Sequence, residues 1–138
     1  MPAGRPGRST GVDVTPLVPA GRQIIESYGE GRFRVGGTLH AGSILVFAER
    51  TEAWPVSDFS QLTPASLEPL RAAGAAGLVD VVLLGCGPRM GLVPEALRGP
   101  LRAAGIVLEP MDTGAACRTY NVLAAEGRRV AAALIAVP

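Results

Sequence analysis

Apolar and polar positions alternate along 23–28 and again along 32–35, with Gly29–Gly31 between them, which predicts two strands joined by a turn. Gly36, Gly37 and Gly42 mark further bends, and 43–47 is a short apolar run of the buried-strand type. The stretch TEAWPV adds another extended piece, because Pro55 disfavours the helical region for Trp54. From Thr63 the rhythm changes. TPASLEPLRAAG predicts a helix with Thr63 as N-cap, Pro64 at its first position and Gly74 as its stop. LVDVVLLG then reads as a strand, VPEALRGPLRAAG as a helix interrupted near Gly99 and Pro100, and GIVLEP as a strand. Asp112 or Thr113 caps a third helix that ends at Gly127, before a last strand over 130–135. The order βββ(β)αβαβαβ implies a mixed sheet with helices on its faces, since the crossovers must cover the central strands.

Residues 1–22 break this pattern. They are dense in Pro and Gly, hold no apolar core segment, and predict a flexible arm ahead of a single α/β domain over 23–138. The 48% apolar content suits one domain with a core, and no apolar run is long enough to span a membrane. A net charge of +1, with no basic stripe interleaved with aromatics, gives no basis for nucleic-acid binding. All 13 basic residues are arginine, a bias that GC-rich coding explains without any appeal to phosphate recognition. Two cysteines are too few for a disulfide scaffold and lack metal-ligand spacing, so a reducing cytoplasm is expected and neither metal nor cofactor is indicated.

Two stretches concentrate polar chemistry. LLGCGPRMG sets Gly85, Cys86 and Gly87 after a buried strand and before a helix, where backbone N–H groups converge in α/β sheets. The spacing of Gly85, Gly87 and Gly91 misses the dinucleotide fingerprint by one residue, and the Walker lysine is absent. A tight turn needing glycine dihedrals accounts for the same residues. The second stretch is MDTGAACRTYN. Asp112 and Thr113 begin its helix, where free N–H groups could help hold a small anion. Helical spacing puts Ala115, Ala116, Thr119, Val122 and Leu123 on one side, the expected core face. Cys117, Tyr120, Asn121 and Ala124 lie opposite, with Arg118 beside Asn121.

That second face is polar yet short-chained and nearly uncharged, unlike a solvated surface. It is expected to be covered, by the N-terminal strands or by another molecule. A covered Arg118 calls for a carboxylate, with Asp112, Asp80 and Glu109 as candidates and Tyr120 and Asn121 completing a network. The alternative is an Arg–Asn–Tyr pocket for a small anion, or a recognition patch for a partner protein. Cys117 lies near a helix start and beside Arg118, two features that favour a thiolate, and Cys86 is placed where it could face it. No histidine dyad is indicated, since His40 stands alone, and an inert core thiol is the competing reading.

IESYGEGRFRVGG, GSILV, LLGCG and above all MDTGAACRTYNVLAAEGRRVAAALI resemble an uncharacterised family widespread in bacteria and archaea. Its eukaryotic relatives include the mitochondrial complex I assembly factor 3 and an adipogenesis-associated protein. The resemblance runs from about Ile24 to Ile135. It implies a three-layer α/β fold, with a mixed sheet, helices on its faces and a small N-terminal β-meander. It also implies a role through protein contacts, with no established enzymatic activity. Cys86 stands where the family pattern has Thr or Ser, which argues against an obligatory two-cysteine mechanism. The resulting expectation is a bacterial interaction or assembly module with an unidentified protein partner, a homodimer being one form. The competing expectation is a small-molecule or anion-binding protein, or a weak enzyme, using the cleft between Gly85–Gly87 and Asp112–Asn121.

Overall fold

The computed structural model describes residues 11–13 and 23–138. Apart from residues 11–13, the expected arm therefore lies outside the described residues. β1 (Val12–Asp13) pairs antiparallel with β2 (Ile25–Gly29), opposite Tyr28 and Ser27. β3 (Arg32–Val35) and β4 (Thr38–Ala41) follow as consecutive hairpins, closing a four-stranded antiparallel sheet in the order β1-β2-β3-β4. Each hairpin has a two-residue turn, Glu30-Gly31 and Gly36-Gly37, and all four residues have φ between 55° and 86°. This mirror-image turn matches the twist of paired strands, and glycine enters it without a Cβ clash.

The second sheet is mixed. β5 (Ile44–Val46), β6 (Thr51–Ala53), β7 (Val81–Gly85), β8 (Val107–Met111) and β9 (Val130–Leu134) lie in the order β6-β5-β9-β7-β8. β5 runs antiparallel to β6 and β9, while β7 is parallel to both β9 and β8. Alternation along the central strands splits the interior into two cores. Leu45, Val82, Leu84, Ala131 and Ala133 pack with α1 (Glu68–Ala75) and α2 (Glu95–Ala103). Ile44, Val46, Leu83, Ala132 and Leu134 face α3 (Thr113–Ala125) and the meander. Strand β9 is buried throughout, so it reads as an unbroken apolar run rather than an alternating one. Its three alanines let the layers on both sides approach the sheet closely.

The expected three layers with a meander are therefore present, and α3 is their hinge point: it lies between the mixed sheet and β2. Three helix features differ from expectation. The helix expected from Pro64 opens instead as a 3-10 turn over Ala65–Leu67, with Thr63 Oγ1 accepting from the Ser66 N–H, and α1 itself begins at Glu68. α2 is not interrupted at Gly99-Pro100 but runs continuously with Pro100 inside it. Leu97 and Leu101, four residues apart, are both buried, and Arg102 clamps Glu95 with bonds of 2.6 and 3.0 Å. That packing outweighs the one backbone hydrogen bond a proline removes. Gly74 is likewise not a stop. It marks a close crossing, where a Cβ would stand 2.5 Å from Ile106 Cδ1 and 3.0 Å from the Ala104 carbonyl. The left-handed residue after α1 is Gly77, with φ +76°.

Candidate functional site

Gly85, Cys86 and Gly87 leave the end of β7 and meet the first turn of α3. Gly85 leaves little room for a side chain, since a Cβ there would lie 3.0 Å from Thr113 Cα, Thr113 Oγ1 and Leu134 Cδ2. Gly87, at φ +103°, turns the chain back. The Cys86 N–H donates to the Met111 carbonyl at 2.8 Å, and the Gly87 N–H donates to Thr113 Oγ1 at 2.9 Å. Thr113 N–H donates to the Gly87 carbonyl at 2.9 Å, and its hydroxyl donates to the Ile135 carbonyl at 2.7 Å. Ile135 N–H in turn donates to the Gly85 carbonyl at 3.0 Å. The fully buried Thr113 thus ties together the ends of three parallel strands. The amides of Cys86 and Gly87, which a phosphate would need, are already committed.

Asp112 is the N-cap of α3, its Oδ1 accepting from the Ala115 N–H at 2.9 Å. The core face of the helix is not the one expected. Ala116 is buried, but it is joined by Cys117, Tyr120, Asn121 and Ala124, while Val122 is 56% exposed. The reason is the second layer: with the sheet on one side and β2 on another, the covered arc takes in the short polar side chains. Covering by the N-terminal strands, one of the two expected possibilities, is what the fold provides.

The buried polar groups on that arc serve the meander's backbone. Asn121 Oδ1 accepts from the Ile25 N–H at 3.0 Å, and its Nδ2 donates to the Ile25 carbonyl at 2.8 Å. The side-chain amide therefore acts as a one-residue strand partner where the β2–β3 register shifts between Ile25 and Ser27. Tyr120 Oη donates to the Gln23 carbonyl at 3.0 Å and lies 3.5 Å from that of Phe47. These bonds tie both groups to the backbone of the segments that cover the helix. Arg118 is exposed, and its Nη1 donates to Tyr28 Oη at 3.3 Å. None of the expected carboxylates forms an ion pair with Arg118 among the described residues: Asp80 pairs with Arg129 at 2.9 Å, Asp112 caps α3, and Glu109 is exposed on β8. The helix turns Arg118 away from the covered arc, so the desolvation that would demand a carboxylate never arises.

The two cysteines are free and buried. They do not face one another: Cys86 packs in the α1/α2 core and Cys117 in the α3 core, on opposite sides of the sheet. Burial pushes the Cys117 thiol up to about 12, overriding the opposing pull of Arg118, and burial also raises Cys86. Both carry their protons at neutral pH, which disfavours nucleophilic chemistry. Among the described residues no cluster of His, Cys, Asp or Glu could hold a metal, and no helix is long and apolar enough to cross a membrane.

Sequence reasoning missed two surface features. Beyond Gly87 the loop to α2 holds Met90 59% and Leu92 86% exposed. It is anchored beneath by Gly91, where a Cβ would come within 2.6 Å of the Phe59 ring. At the opposite end of β7, a groove of about 600 Å³ opens between α1, the turn after β5 and the turn before β9. Exposed apolar residues leave no mark in a hydrophobicity pattern, so only the tertiary arrangement reveals either feature.

A family model described as Protein of unknown function (DUF498/DUF598) matches residues 25–135. An uncharacterized protein of Rhodobacter capsulatus is 43% identical over 119 residues, covering 86% of this chain and 89% of that protein. A Danio rerio protein named NADH dehydrogenase (ubiquinone) 1 alpha subcomplex assembly factor 3 is 30% identical over 131 residues, covering 95% of this chain and 74% of that protein. Among solved structures, a solution NMR structure of a Bordetella pertussis Mth938-like domain superposes with a TM-score of 0.74 at 30% identity. That match covers 90% of this chain and 92% of the other.

Proposed function

The chain belongs to the family of proteins of unknown function DUF498/DUF598, and from that premise we propose that it is a non-enzymatic interaction module that assists assembly of a protein complex. The observation that carries this reading is the loop between β7 and α2. Met90 and Leu92 are held in solvent by a segment bounded by Pro88 and Pro94 and anchored at Gly91 against Phe59. Large apolar side chains presented on a stiffened loop are suited to burial by a partner, because little ordering entropy opposes docking. The adjacent Gly85–Thr113 junction is internally satisfied, which favours a scaffold for that loop over a phosphate or anion site. The name of the zebrafish relative, an assembly factor, supports the same role for this chain. Two free, protonated cysteines accord with work in a reducing cytoplasm.

The test is affinity purification from the native host with mass spectrometry, comparing wild type with Met90→Ser/Leu92→Ser. Both side chains are exposed, so the variant should melt within a few degrees of wild type. Loss of a protein that wild type retains specifically would support the reading. An unchanged set of captured proteins would refute it. Self-association through the same loop is the competing occupant, and concentration-dependent sedimentation lost in the variant would assign it.

A further inference from the structure

Among the described residues, sulfur is carried by Cys86, Met90, Met111 and Cys117, and the fold shelters all but one of them. Cys86 and Cys117 are 5% and 0% exposed, and burial pushes both thiols up, so neither offers a thiolate to a peroxide. Met111 is partly buried against the α3 core. Met90 is 59% exposed, on the loop bounded by Pro88 and Pro94 and anchored at Gly91 against Phe59. The anchor adjoins Met90 in the chain and keeps its thioether in solvent. We propose that Met90 is a site of reversible oxidation by hydrogen peroxide, and that its sulfoxide turns off docking through this loop.

The Met90 sulfur attacks one peroxide oxygen; an S–O bond forms and the O–O bond breaks. Sulfur gives up two electrons, the peroxide is reduced, and the second oxygen takes the proton of the first and leaves as water. A methionine sulfoxide reductase reverses the change, two thiols supplying the electrons and the oxygen leaving as water. The sulfoxide is polar and hydrated, so Leu92, 86% exposed, remains as the large apolar side chain that the loop presents. Met90 belongs to neither buried core, so its oxidation acts on what the loop can bury against a partner and leaves the fold intact. The effect on docking rests on the reading of this loop as a docking element. The site of oxidation rests on the exposure of one sulfur and the burial of the others.

The test treats the full chain with hydrogen peroxide, removes the oxidant and follows tryptic peptides by mass spectrometry. Peptide 90–98 carries Met90, 72–89 carries Cys86, and 103–118 carries Met111 and Cys117, which fragmentation separates. Met90 should gain one oxygen atom at least about fivefold faster than Met111, with both cysteines unchanged. The oxidised protein should melt within about 3 °C of the untreated one. It should elute earlier from a phenyl column and return to its first position after methionine sulfoxide reductase and dithiothreitol. Met90→Leu keeps the loop apolar without its sulfur, so peroxide should shift its elution less. A protein captured by wild type and lost in Met90→Ser/Leu92→Ser should also be lost from oxidised wild type. Equal or faster oxidation of Met111 or a cysteine, a larger fall in melting temperature, or an equal elution shift in Met90→Leu would each overturn the site. Capture of that protein by the oxidised chain would overturn the control of docking. Absence of any such protein would overturn the docking reading and its control together, and the peptide rates would still decide the site of oxidation.

Discussion

Asn121→Ala removes the side chain that pairs both backbone groups of Ile25 at the point where β2 leaves its regular register. Asn121 is 3% exposed and Ile25 is fully buried, so water has no ready access to the freed N–H and carbonyl. Each buried backbone group left unsatisfied costs about 1–3 kcal/mol, and two are stranded here. The expected loss is therefore about 2–6 kcal/mol, a large share of the roughly 5–15 kcal/mol that holds a domain together. In urea, with a slope of about 1–3 kcal/mol/M, the midpoint should fall by about 1 M or more with no change in slope. Asn121→Asp separates geometry from charge: its carboxylate can still accept from the Ile25 N–H but faces the Ile25 carbonyl, so it should rescue little. Arg118→Ala is the matched control, because its single 3.3 Å bond to Tyr28 is exposed. It should stay within about 0.5 kcal/mol of wild type. An Asn121→Ala variant as stable as wild type, or an Arg118→Ala variant equally damaged, would refute the strand-surrogate role.

Two further outcomes follow from the same junctions. Thr113→Val keeps the shape of a fully buried side chain but deletes the acceptor for Gly87 and the donor to Ile135; thermal melting should show a loss of about 1–3 kcal/mol, largely restored by Thr113→Ser. Cys117 should resist iodoacetamide in the native protein at mildly alkaline pH and react fully in denaturant. Its thiol is raised from 9.0 to about 12, so its contribution to stability is fully present below pH 9 and is lost as pH rises toward 12. Denaturant midpoints measured across that window should decline. A shallower decline in Cys117→Ala than in wild type would assign the difference to this thiol, the raised Cys86 accounting for part of what remains.

Local rules along the chain were enough for most elements. The period-two alternation of residues 23–35, the Gly-rich turns, and the Asp112 cap with Gly127 beyond α3 predict strands and helices by short-range sterics and hydrogen bonding. The element order requires a mixed sheet, because parallel neighbours need helical crossovers. Where packing competes with local preference, the tertiary structure decided. Pro100 stays inside α2 because Leu97 and Leu101 are buried on either side of it, and Gly74 serves a helix crossing rather than a helix end. The same holds for MDTGAACRTYN. The sequence shows that Cys117, Tyr120 and Asn121 form a covered face, since a solvated one would be charged. It cannot show what covers them, because the meander that does so lies some 96 residues away in the chain. Nor can it place Arg118: a one-residue step along a helix turns the side chain by about 100°, enough to carry it from the buried arc to solvent.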